Sequence, residues 1–597
     1  MSRSYPLDFL LAISPDLQIS AIKVDHELSS FEILPDRKTA MLYLPNNSKF
    51  IISNIETGML AIGGDPVGLT DGSFKSSTSN GFNAENFLNT VPGHYYLIYY
   101  DKKDKSLIVS SSQFSMFPVF WCQCNECILI ASRLQLMRAF LPSGLKPNKK
   151  FIIEQFLFNY PLFSDTILKD VRLCPSNHYI KINNADIHFV KHTDVTDLFV
   201  EKSGKRNDSA EQLTSLFLKR VQHYFPDEKS VISFTGGFDG RTLVACAKYY
   251  ERQFSTFSFG TSKNDDVTVP MSNAARLGIE FNPLFLDHEE YIEKHYYETG
   301  KELINLTSGM SNYLYVHFLY SAKKLCEKSN YLFTGYFGSE LFRALHVTGA
   351  MISKELLSFF KESDEDQWID AIKFSPKLKY LKKQFFEKEI DETIDELRKY
   401  KKENTNQLSR LNQFFYQFVF EEIFRKVFGS HIFSQLNFMN VRTPFLDPQF
   451  IRELFKTEFA GVNNDFFTHN PMKRLKGQYL YANIIAKAYP ELALLKTQRG
   501  YRPKDLLTVK GNVHILAPYL LKKIRRKVAR PYLDNLSIIS GIRHNWRLLR
   551  QEIIASDSFN IVELDKLAAN LDNIPEYQRD LLALAASSAR FVHQMEK

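Results

Sequence analysis

One short segment constrains the fold of this chain more than any other. Residues 230–242 spell S-V-I-S-F-T-G-G-F-D-G-R-T, an apolar run that ends in two glycines and leads into a run compatible with a helix. A helix is predicted over Arg241–Tyr250, a strand over Phe254–Gly260 and a second helix over Val269–Leu277. Strands that alternate with helices in this way predict a parallel sheet with right-handed crossovers.

The loop in this segment has the chemistry of an anion site. Gly236 and Gly237 lack Cβ atoms, so their N–H groups can approach an anion closely, and the following helix adds the positive end of its dipole. Thr235 offers a hydroxyl to a phosphate oxygen. Asp239 suits a Mg²⁺ that bridges to pyrophosphate, because a carboxylate repels phosphate directly. The Walker pattern is absent, and a tight β–α turn capped by Asp239 is the alternative.

The rest of the chain divides into regions of different pattern. The first ~200 residues predict short strands rich in aromatic and β-branched residues, at Val91–Tyr100, Leu107–Ser111, Pro118–Trp121 and Ile128–Ser132. Residues 201–209 are polar and predict a linker. Residues 350–430 carry acidic and basic side chains at helical spacing, which predicts exposed helices, and the tail from ~510 also predicts helices. We therefore expect regions at 1–205, 206–510 and 511–597.

Composition and charge exclude several classes of protein. Hydrophobic residues make up 44% of the chain and charged residues 24%, which indicates a globular protein. A net charge of +8 over 597 residues is too dilute to predict nucleic-acid binding, and we interpret the basic run Lys522–Lys527 as a solvated helix face. No apolar run approaches the ~18 residues of a membrane span. Asp8 lies where a signal peptide would be apolar, so we expect a cytoplasmic protein.

Six cysteines in 597 residues do not predict a disulfide scaffold. Cys122, Cys124 and Cys127 cluster, but a zinc site needs four ligands and no second CxxC or HxxxH pair is present. We interpret the three as structural thiols on two strands around Asn125-Glu126, with a metal site as the alternative.

Several motifs together resemble a known family. The loop T-G-G-F-D is similar to the Ser/Thr-Gly-Gly-x-Asp loop of N-type ATP pyrophosphatases, which split ATP into AMP and pyrophosphate while adenylating a substrate. The order of further segments resembles the asparagine synthetase B superfamily: T-F-S-F-G at 256–260, L-F-T-G-Y-F-G-S-E-L-F at 332–342, R-T-P-F-L-D at 442–447 and R-G-Y at 499–501. The resemblance covers about residues 60–505.

The resemblance implies a fold and a set of site residues. The fold is α/β and multidomain: an N-terminal Ntn-hydrolase-like β-rich sandwich, then an adenine-nucleotide α-hydrolase-like parallel sheet with helices on both faces, a helical insertion at about 350–430 and a helical tail. ATP and Mg²⁺ are the implied cofactors. The implied residues for ATP and pyrophosphate are Ser233, Thr235, Gly236, Gly237, Asp239, Gly240, Phe257, Ser258 and Gly335. Those for the metal are Asp239 and Glu340.

The N-terminal region departs from the glutaminase domain that it resembles. Gly93–Asp101 and Met116–Trp121 are similar to segments of that domain. Position 2, however, is Ser2 in place of the glutaminase cysteine, and the Arg-Asp pair falls on Ser111 and Ser112. A serine can act as an N-terminal nucleophile. We nevertheless interpret the region as a degenerate glutaminase domain that generates no ammonia from glutamine.

Tyr336 falls where asparagine synthetases have glutamate and where β-lactam and carbapenam synthetases have tyrosine. The resemblance implies that Tyr336 helps to deprotonate an amine that attacks the acyl-adenylate. A free tyrosine has a pKa of about 10, so a base role near neutrality needs help from its surroundings. An aromatic residue packed beside Phe337 is the alternative.

Other positions depart from the family in the same way: Gly240 replaces a serine, Ser339 a metal aspartate, Gln498 a lysine and Asn440 a glutamate. Glu340 is then the carboxylate nearest in sequence to the lost aspartate. Lys496 or Arg499 are the cations nearest to the lost lysine, and we assign them to charge stabilisation in the second step.

The resulting hypothesis is an ATP-dependent, AMP- and pyrophosphate-forming amide-bond synthetase that acts through an acyl-adenylate and does not hydrolyse glutamine. The expected partners are small-molecule or peptide carboxylate and amine substrates, with neither nucleic acid nor membrane, and a homo-oligomer is left open. The amine can be intramolecular, as in β-lactam synthetases, and lasso-peptide cyclases also lack the glutaminase cysteine. Alternatives are a divergent asparagine synthetase or amidotransferase that uses ammonia or a donated amide, and an inactive nucleotide-binding scaffold.

Overall fold

A computed structural model describes most of the chain. The described residues are 4–14, 28–33, 39–69, 82–124, 127–141, 146–183, 186–200, 206–342, 351–382, 386–405, 408, 410–464, 471–511, 514–515 and 536–596. Ser2, Asn125-Glu126 and the basic run Lys522–Lys527 lie outside them. Within these ranges, every helix is too short or too polar to cross a membrane.

The fold is mixed α/β, and its first part forms two antiparallel six-stranded sheets. The strands of this part are β1 Leu10–Ser14, β2 Leu28–Ile33, β3 Thr39–Pro45, β4 Phe50–Ile55, β5 Gly58–Pro66, β6 Gly93–Asp101, β7 Ser106–Ser111, β8 Phe120–Cys124, β9 Cys127–Ala131, β10 Arg172–Leu173, β11 His178–Asn183 and β12 Asp186–Lys191. One sheet has the order β10-β8-β9-β1-β3-β2 and the other β12-β11-β7-β6-β5-β4. The strands expected from the sequence in this part are confirmed with small shifts of their ends.

A five-stranded parallel sheet follows, with the order β15-β14-β13-β16-β17. Its strands are β13 Ser230–Ser233, β14 Phe254–Gly260, β15 Phe281–Phe285, β16 Tyr331–Phe333 and β17 Asn440–Arg442. Every neighbouring pair is parallel, as the alternation of strands and helices predicts. Because Ser233 pairs with Phe257 and Phe333 with Arg442, the carboxyl ends of four strands meet at one edge of the sheet.

Helices connect and cover the sheets. Their bounds are α1 Ala84–Thr90, α2 Leu134–Met137, α3 Lys149–Phe158, α4 Arg206–Val221, α5 Asp239–Tyr249, α6 Asp265–Leu277, α7 Tyr296–Leu306, α8 Val316–Leu325, α9 Gly338–Phe342, α10 Lys354–Lys361, α11 Glu365–Lys373, α12 Glu387–Thr405, α13 Leu411–Phe418, α14 Gly429–Leu436, α15 Pro448–Phe455, α16 Pro471–Ala488, α17 Pro490–Ala493, α18 Leu536–Ile554, α19 Ile561–Ala569 and α20 Glu576–Glu596. A π-helical stretch, Val419–Phe428, joins α13 to α14.

Two expectations about the helical parts are wrong. The expected linker at 201–209 is cut short, since α4 begins at Arg206 and buries Ala210, Leu213 and Phe217. The helices at 350–430 are also not exposed throughout, because Leu411–Leu436 is buried almost along its whole length. Its aromatic side chains pack into the main core, and this packing decides its place more than its charges do.

A buried ion pair and a side-chain contact join the antiparallel sheets to the parallel sheet. Arg442, at the end of β17, donates to both carboxylate oxygens of Asp65 on β5, and both side chains are buried. The neighbouring Thr443 Oγ1 lies 2.7 Å from His94 Nε2 on β6. Asp447 accepts N–H groups at the start of α15 and pairs with Arg220 at 3.0 Å. The R-T-P-F-L-D motif therefore ties two regions of the protein together.

Candidate active site

The loop between β13 and α5 is shaped by close backbone packing. A Cβ atom at Gly240 would lie 2.0 Å from the carbonyl oxygen of Ser233, so the first turn of α5 rests directly on the end of the strand. No larger residue fits at position 240 unless the helix moves. This contact gives a physical reason for the absence of a serine hydroxyl at this position.

The amides of the loop face anionic or polar oxygen atoms. The Gly236 N–H donates to Oδ1 of Asp266, in the first turn of α6, at 3.2 Å. The Gly237 N–H donates to Oγ1 of Thr235 at 3.4 Å. An amide that binds a carboxylate oxygen can bind a phosphate oxygen in the same way once the carboxylate turns aside.

Asp239 lies where several distant segments meet. Ser339 donates its hydroxyl to Oδ2 of Asp239 at 2.7 Å, and Tyr481 on α16 donates to Oδ1. A Cβ atom at Gly335 would lie 2.6 Å from the Cβ of Asp239, and one at Gly338 would lie 2.8 Å from Oδ1. The turn after β16 therefore closes around the carboxylate, and its glycines permit the approach.

The segment that carries Lys496 and Arg499 is fixed against the loop. The N–H of Gln498 donates to the carbonyl oxygen of Gly236 at 3.0 Å. Arg241, on α5, donates to the carbonyl oxygen of Lys496 at 3.1 Å, and its burial lowers its pKa to about 9. The Lys496 side chain is exposed and that of Arg499 is half-buried. Both cations thus border the loop on a backbone held in place.

Tyr336 lies in aromatic surroundings at the same edge of the sheet. Its hydroxyl donates to Oε1 of Gln435 at 3.3 Å, and its ring packs edge-on against Phe318 and Phe428. Burial raises its pKa above the ordinary value, which is the opposite of what a general base needs. The next residue, Phe337, has a φ of 69°, a conformation that costs energy and clusters at functional sites.

The resemblance places Phe257 and Ser258 near adenine. In the structure, both residues make contacts with other residues of the protein. The Phe257 side chain is buried, and its carbonyl oxygen accepts the N–H of Phe234 at 2.8 Å. The Ser258 hydroxyl donates to the carbonyl oxygen of Asp266 at 2.7 Å. Phe259 is only half-buried, so it is the side chain of this strand end that is open to contact.

The donor set fits a magnesium ion held by one carboxylate. Asp239 supplies a carboxylate with two hydroxyls beside it, and Mg²⁺ in phosphate sites is commonly held by one or two carboxylates together with substrate phosphates. Glu340 lies on α9, where its carbonyl oxygen accepts the hydroxyl of Tyr416 at 2.8 Å. The hydrogen bonds to the Asp239 carboxylate described above come from the hydroxyls of Ser339 and Tyr481.

A separate acidic cluster does not suit a metal. Glu154, Asp165 and Glu396 bring their carboxylates together, the one such group of three among the described residues. The ammonium of Lys150 already lies among them, 2.7 Å from Asp165 and 3.6 Å from Glu154. The cation takes the position that a metal would need.

The sequence did not point to several residues of this site. Tyr481 and Asp266 contact the loop or its carboxylate, and Arg241 binds the segment at Lys496. Each of the three is far from a motif or outside its matched letters. For Asp266 the sequence held a weak signal, because Asn264, two residues before it, is the N-cap residue of α6. A lone tyrosine in the middle of a helix such as α16 carries no sequence signal of this kind.

The glutaminase-like positions are closed. Ser111 and Ser112 are buried, and the Ser112 hydroxyl accepts the N–H of Tyr95 at 3.4 Å. Cys122, on the neighbouring sheet, is also buried, and burial raises its pKa to about 12. These positions therefore present no charge to a glutamine.

No protein-family model matches the sequence, and no curated protein matches it either. Among solved structures, the chain is similar in part to one described as glutamine phosphoribosylpyrophosphate amidotransferase from B. subtilis complexed with ADP and GMP, at 8% identity over 46% of this chain and 65% of that chain, with a TM-score of 0.21. A second, described as the allosteric regulatory enzyme of purine biosynthesis, has 9% identity over 46% of this chain and 59% of that chain, with a TM-score of 0.19. The chain spans less than two thirds of either structure, and likeness at this level carries no conclusion about activity.

Proposed function

We propose that this protein is an ATP-dependent amide-bond synthetase that forms an acyl-adenylate, releases AMP and pyrophosphate, and does not hydrolyse glutamine. The observation that carries the proposal is the convergence on Asp239. The turn 335–339 and α16 both contact Asp239, and the segment 496–501 contacts the same loop at Gly236. We further propose that the two antiparallel sheets are an Ntn-hydrolase-like sandwich without glutaminase chemistry.

In the first step, the amides of Gly236 and Gly237 and the Thr235 hydroxyl bind the pyrophosphate part of ATP. Asp239 would hold Mg²⁺, which neutralises phosphate charge when it is bound. A substrate carboxylate oxygen attacks the α-phosphorus, the bond from that phosphorus to the β-phosphate oxygen breaks, and pyrophosphate leaves. In such an in-line displacement, positioning and charge stabilisation supply most of the catalysis.

In the second step, an amine nitrogen attacks the acyl carbon and the bond to AMP breaks. The amine proton leaves with the departing AMP phosphate. Tyr336 orients the amine through its hydroxyl, since burial keeps that hydroxyl protonated. Lys496 or Arg499 stabilises the oxyanion and the leaving phosphate from the edge of the loop.

A nucleotide-binding scaffold is the second candidate function. It is favoured by the Ser339 hydroxyl, which lies against Asp239 where the resemblance has a second metal carboxylate. A scaffold would bind ATP and Mg²⁺ at the same loop but would leave the α-phosphate intact.

Trapping with hydroxylamine separates the two candidates without knowledge of the natural amine. The protein is incubated with ATP labelled at the α-phosphate, Mg²⁺, hydroxylamine and a panel of carboxylates. The proposal predicts labelled AMP and a hydroxamate in equal amounts with at least one carboxylate. Binding of ATP without AMP formation would favour the scaffold, and labelled ADP as the product would contradict both.

A further inference from the structure

An aromatic cluster borders the candidate site at the carboxyl edge of the parallel sheet. We define it as Phe259, His317, Phe318, Tyr336 and His431. The Phe259 ring centroid lies 4.7 Å from that of His317 and 5.5 Å from that of Phe318. Phe318 lies 4.1 Å from His431 and 5.9 Å from Tyr336 by the same measure. The rings therefore form one continuous set drawn from β14, α8, the turn after β16 and α14.

The cluster is continuous with the nucleotide loop at both ends. Phe259 lies 6.3 Å from Phe257, whose carbonyl oxygen binds the N–H of Phe234 in that loop. Tyr336 immediately follows Gly335, which packs against Asp239. Ligands of parallel α/β sheets bind at this edge, in the crevice outside the strand ends. A group bound against the cluster would thus reach toward the loop 235–240.

The cluster is accessible yet uncharged. Phe259, His317, Phe318 and Tyr336 are only half-buried, so aromatic surface is available to a ligand. Burial lowers the pKa of His317 to about 4 and that of His431 well below the ordinary value, so both imidazoles are neutral near pH 7. Aromatic faces without a formal charge favour apolar and aromatic groups. A second carboxylate would lose hydration there and gain no counter-charge.

His431 gives an independent sign that the cluster receives a ligand. Only 3% of its surface is exposed, and neither ring nitrogen has a hydrogen-bond partner among the described residues. A neutral imidazole has one donor and one acceptor, and leaving them unpaired in the interior is costly. An uncharged polar atom on a bound group would satisfy one of them.

We infer that the aromatic cluster binds the acyl part of the carboxylate substrate, and that this part is an uncharged aromatic group. The inference rests on the proposed function for the role of the bound carboxylate, but the binding preference stands on the cluster itself. The inferred preference excludes aspartate and other substrates with a second carboxylate as the preferred substrates.

Calorimetric titration of the full chain tests the preference directly. The probes are 3-phenylpropionate, propionate and aspartate, each with Mg²⁺ and a non-hydrolysable ATP analogue. We expect 3-phenylpropionate to bind at least about tenfold more tightly than propionate or aspartate, because the ring buries apolar area on aromatic faces. Equal or tighter binding of aspartate, or no binding of 3-phenylpropionate, would overturn the inference.

Two variants and a control localise the binding. Phe318→Ala and the milder Phe318→Leu should each weaken 3-phenylpropionate and leave the affinity for the ATP analogue unchanged. Phe374→Ala removes a phenylalanine that is 77% exposed and lies outside the cluster, and it should change neither affinity. Weakening by Phe374→Ala to the same extent, or unchanged binding in both Phe318 variants, would place the binding elsewhere.

The same probes distinguish failure of the inference from failure of the proposed function. Pyrophosphate exchange driven by aspartate alone would keep the synthetase and overturn the aromatic preference. Tight binding of 3-phenylpropionate without exchange or hydroxamate formation from any carboxylate would keep the aromatic site and reject the synthetase.

Discussion

The hydroxyl of Ser339 donates to Oδ2 of Asp239 at 2.7 Å. A neutral hydroxyl thus occupies the place that the family resemblance gives to a metal-binding aspartate. Asp239 also accepts the hydroxyl of Tyr481, so a magnesium ion held by this carboxylate would depend on the phosphates of ATP for most of its other ligands. In the function that we propose, the metal chemistry of the loop therefore depends mainly on Asp239.

Tyr336→Phe should separate the two half-reactions. The ring and its packing against Phe318 are kept, and only the hydroxyl is lost. Pyrophosphate exchange should stay within about tenfold of wild type, while amide formation should fall by at least a further factor of about ten, the cost of one hydrogen bond to a reacting group. Tyr249→Phe, at an exposed tyrosine on α5, is the control. Equal losses in both steps would assign Tyr336 to the nucleotide site.

Glutamine should not support amide formation. Ser111 and Ser112 are buried and uncharged, and they stand where the glutaminase domain that the sequence resembles has an Arg-Asp pair. The measurement is glutamate release from glutamine by the purified protein. Release well above background that disappears in Ser2→Ala would refute this expectation, because it would show an N-terminal serine nucleophile at work.

Asp65→Asn should destabilise the protein by about 3–5 kcal/mol, since it leaves the Arg442 guanidinium buried without its counter-charge. The free energy of unfolding in urea is the measurement. Glu298→Gln removes one partner of an exposed pair with Lys301 and should cost less than about 1 kcal/mol. Similar costs for the two variants would show that the Asp65–Arg442 pair does not hold the sheets together.

His94 should make stability fall in mild acid. Burial and the charge of Arg442 lower its pKa to about 3 in the folded protein, whereas an unfolded histidine has a pKa near 6.5. Between these values the unfolded chain binds a proton that the folded chain does not, so this contribution is complete above pH 6.5 and is lost as the pH falls toward 3. At pH 5 the loss is about 2 kcal/mol.

The test compares urea unfolding of wild type and His94→Gln at pH 7.5 and pH 5.0. The variant cannot take up the proton, so its stability should decline less over this range. Buried carboxyl groups with raised pKa values, such as Glu154, contribute with the opposite sign in both proteins and cancel in the difference. Identical declines would refute the role of His94.

Local pattern was enough to predict several strands of both regions and the glycine turn before α5. Strand periodicity and the steric freedom of glycine act over a few residues, and Phe254–Gly260 is a strand with the bounds expected. The long helical segment Leu411–Leu436 was misjudged because it carries charges. In the folded protein, Glu422 and Lys426 bind the N–H and the carbonyl oxygen of Phe163, so these charges are satisfied inside the core.

Within the candidate site, the sequence predicted only the segments that carry motifs. The turn at Gly335–Ser339 and the segment near Arg499 carry letters that the resemblance recognises, and both lie against the loop. Tyr481 and His431 take their places through tertiary packing of α16 and α14, which no short-range pattern encodes. The raised pKa of Tyr336 likewise arises from burial by residues distant in sequence.

Asp239 should hold the metal for adenylate formation. This role is tested most directly by exchange of labelled pyrophosphate into ATP, with a panel of aromatic, aliphatic and amino-acid carboxylates, in wild type, Asp239→Asn and the control Asp227→Asn, whose side chain is fully exposed. The account predicts exchange in wild type and in Asp227→Asn, and a loss of at least about a hundredfold in Asp239→Asn with an unchanged circular dichroism spectrum. Undiminished exchange in Asp239→Asn, or no exchange by wild type with any carboxylate, would contradict it.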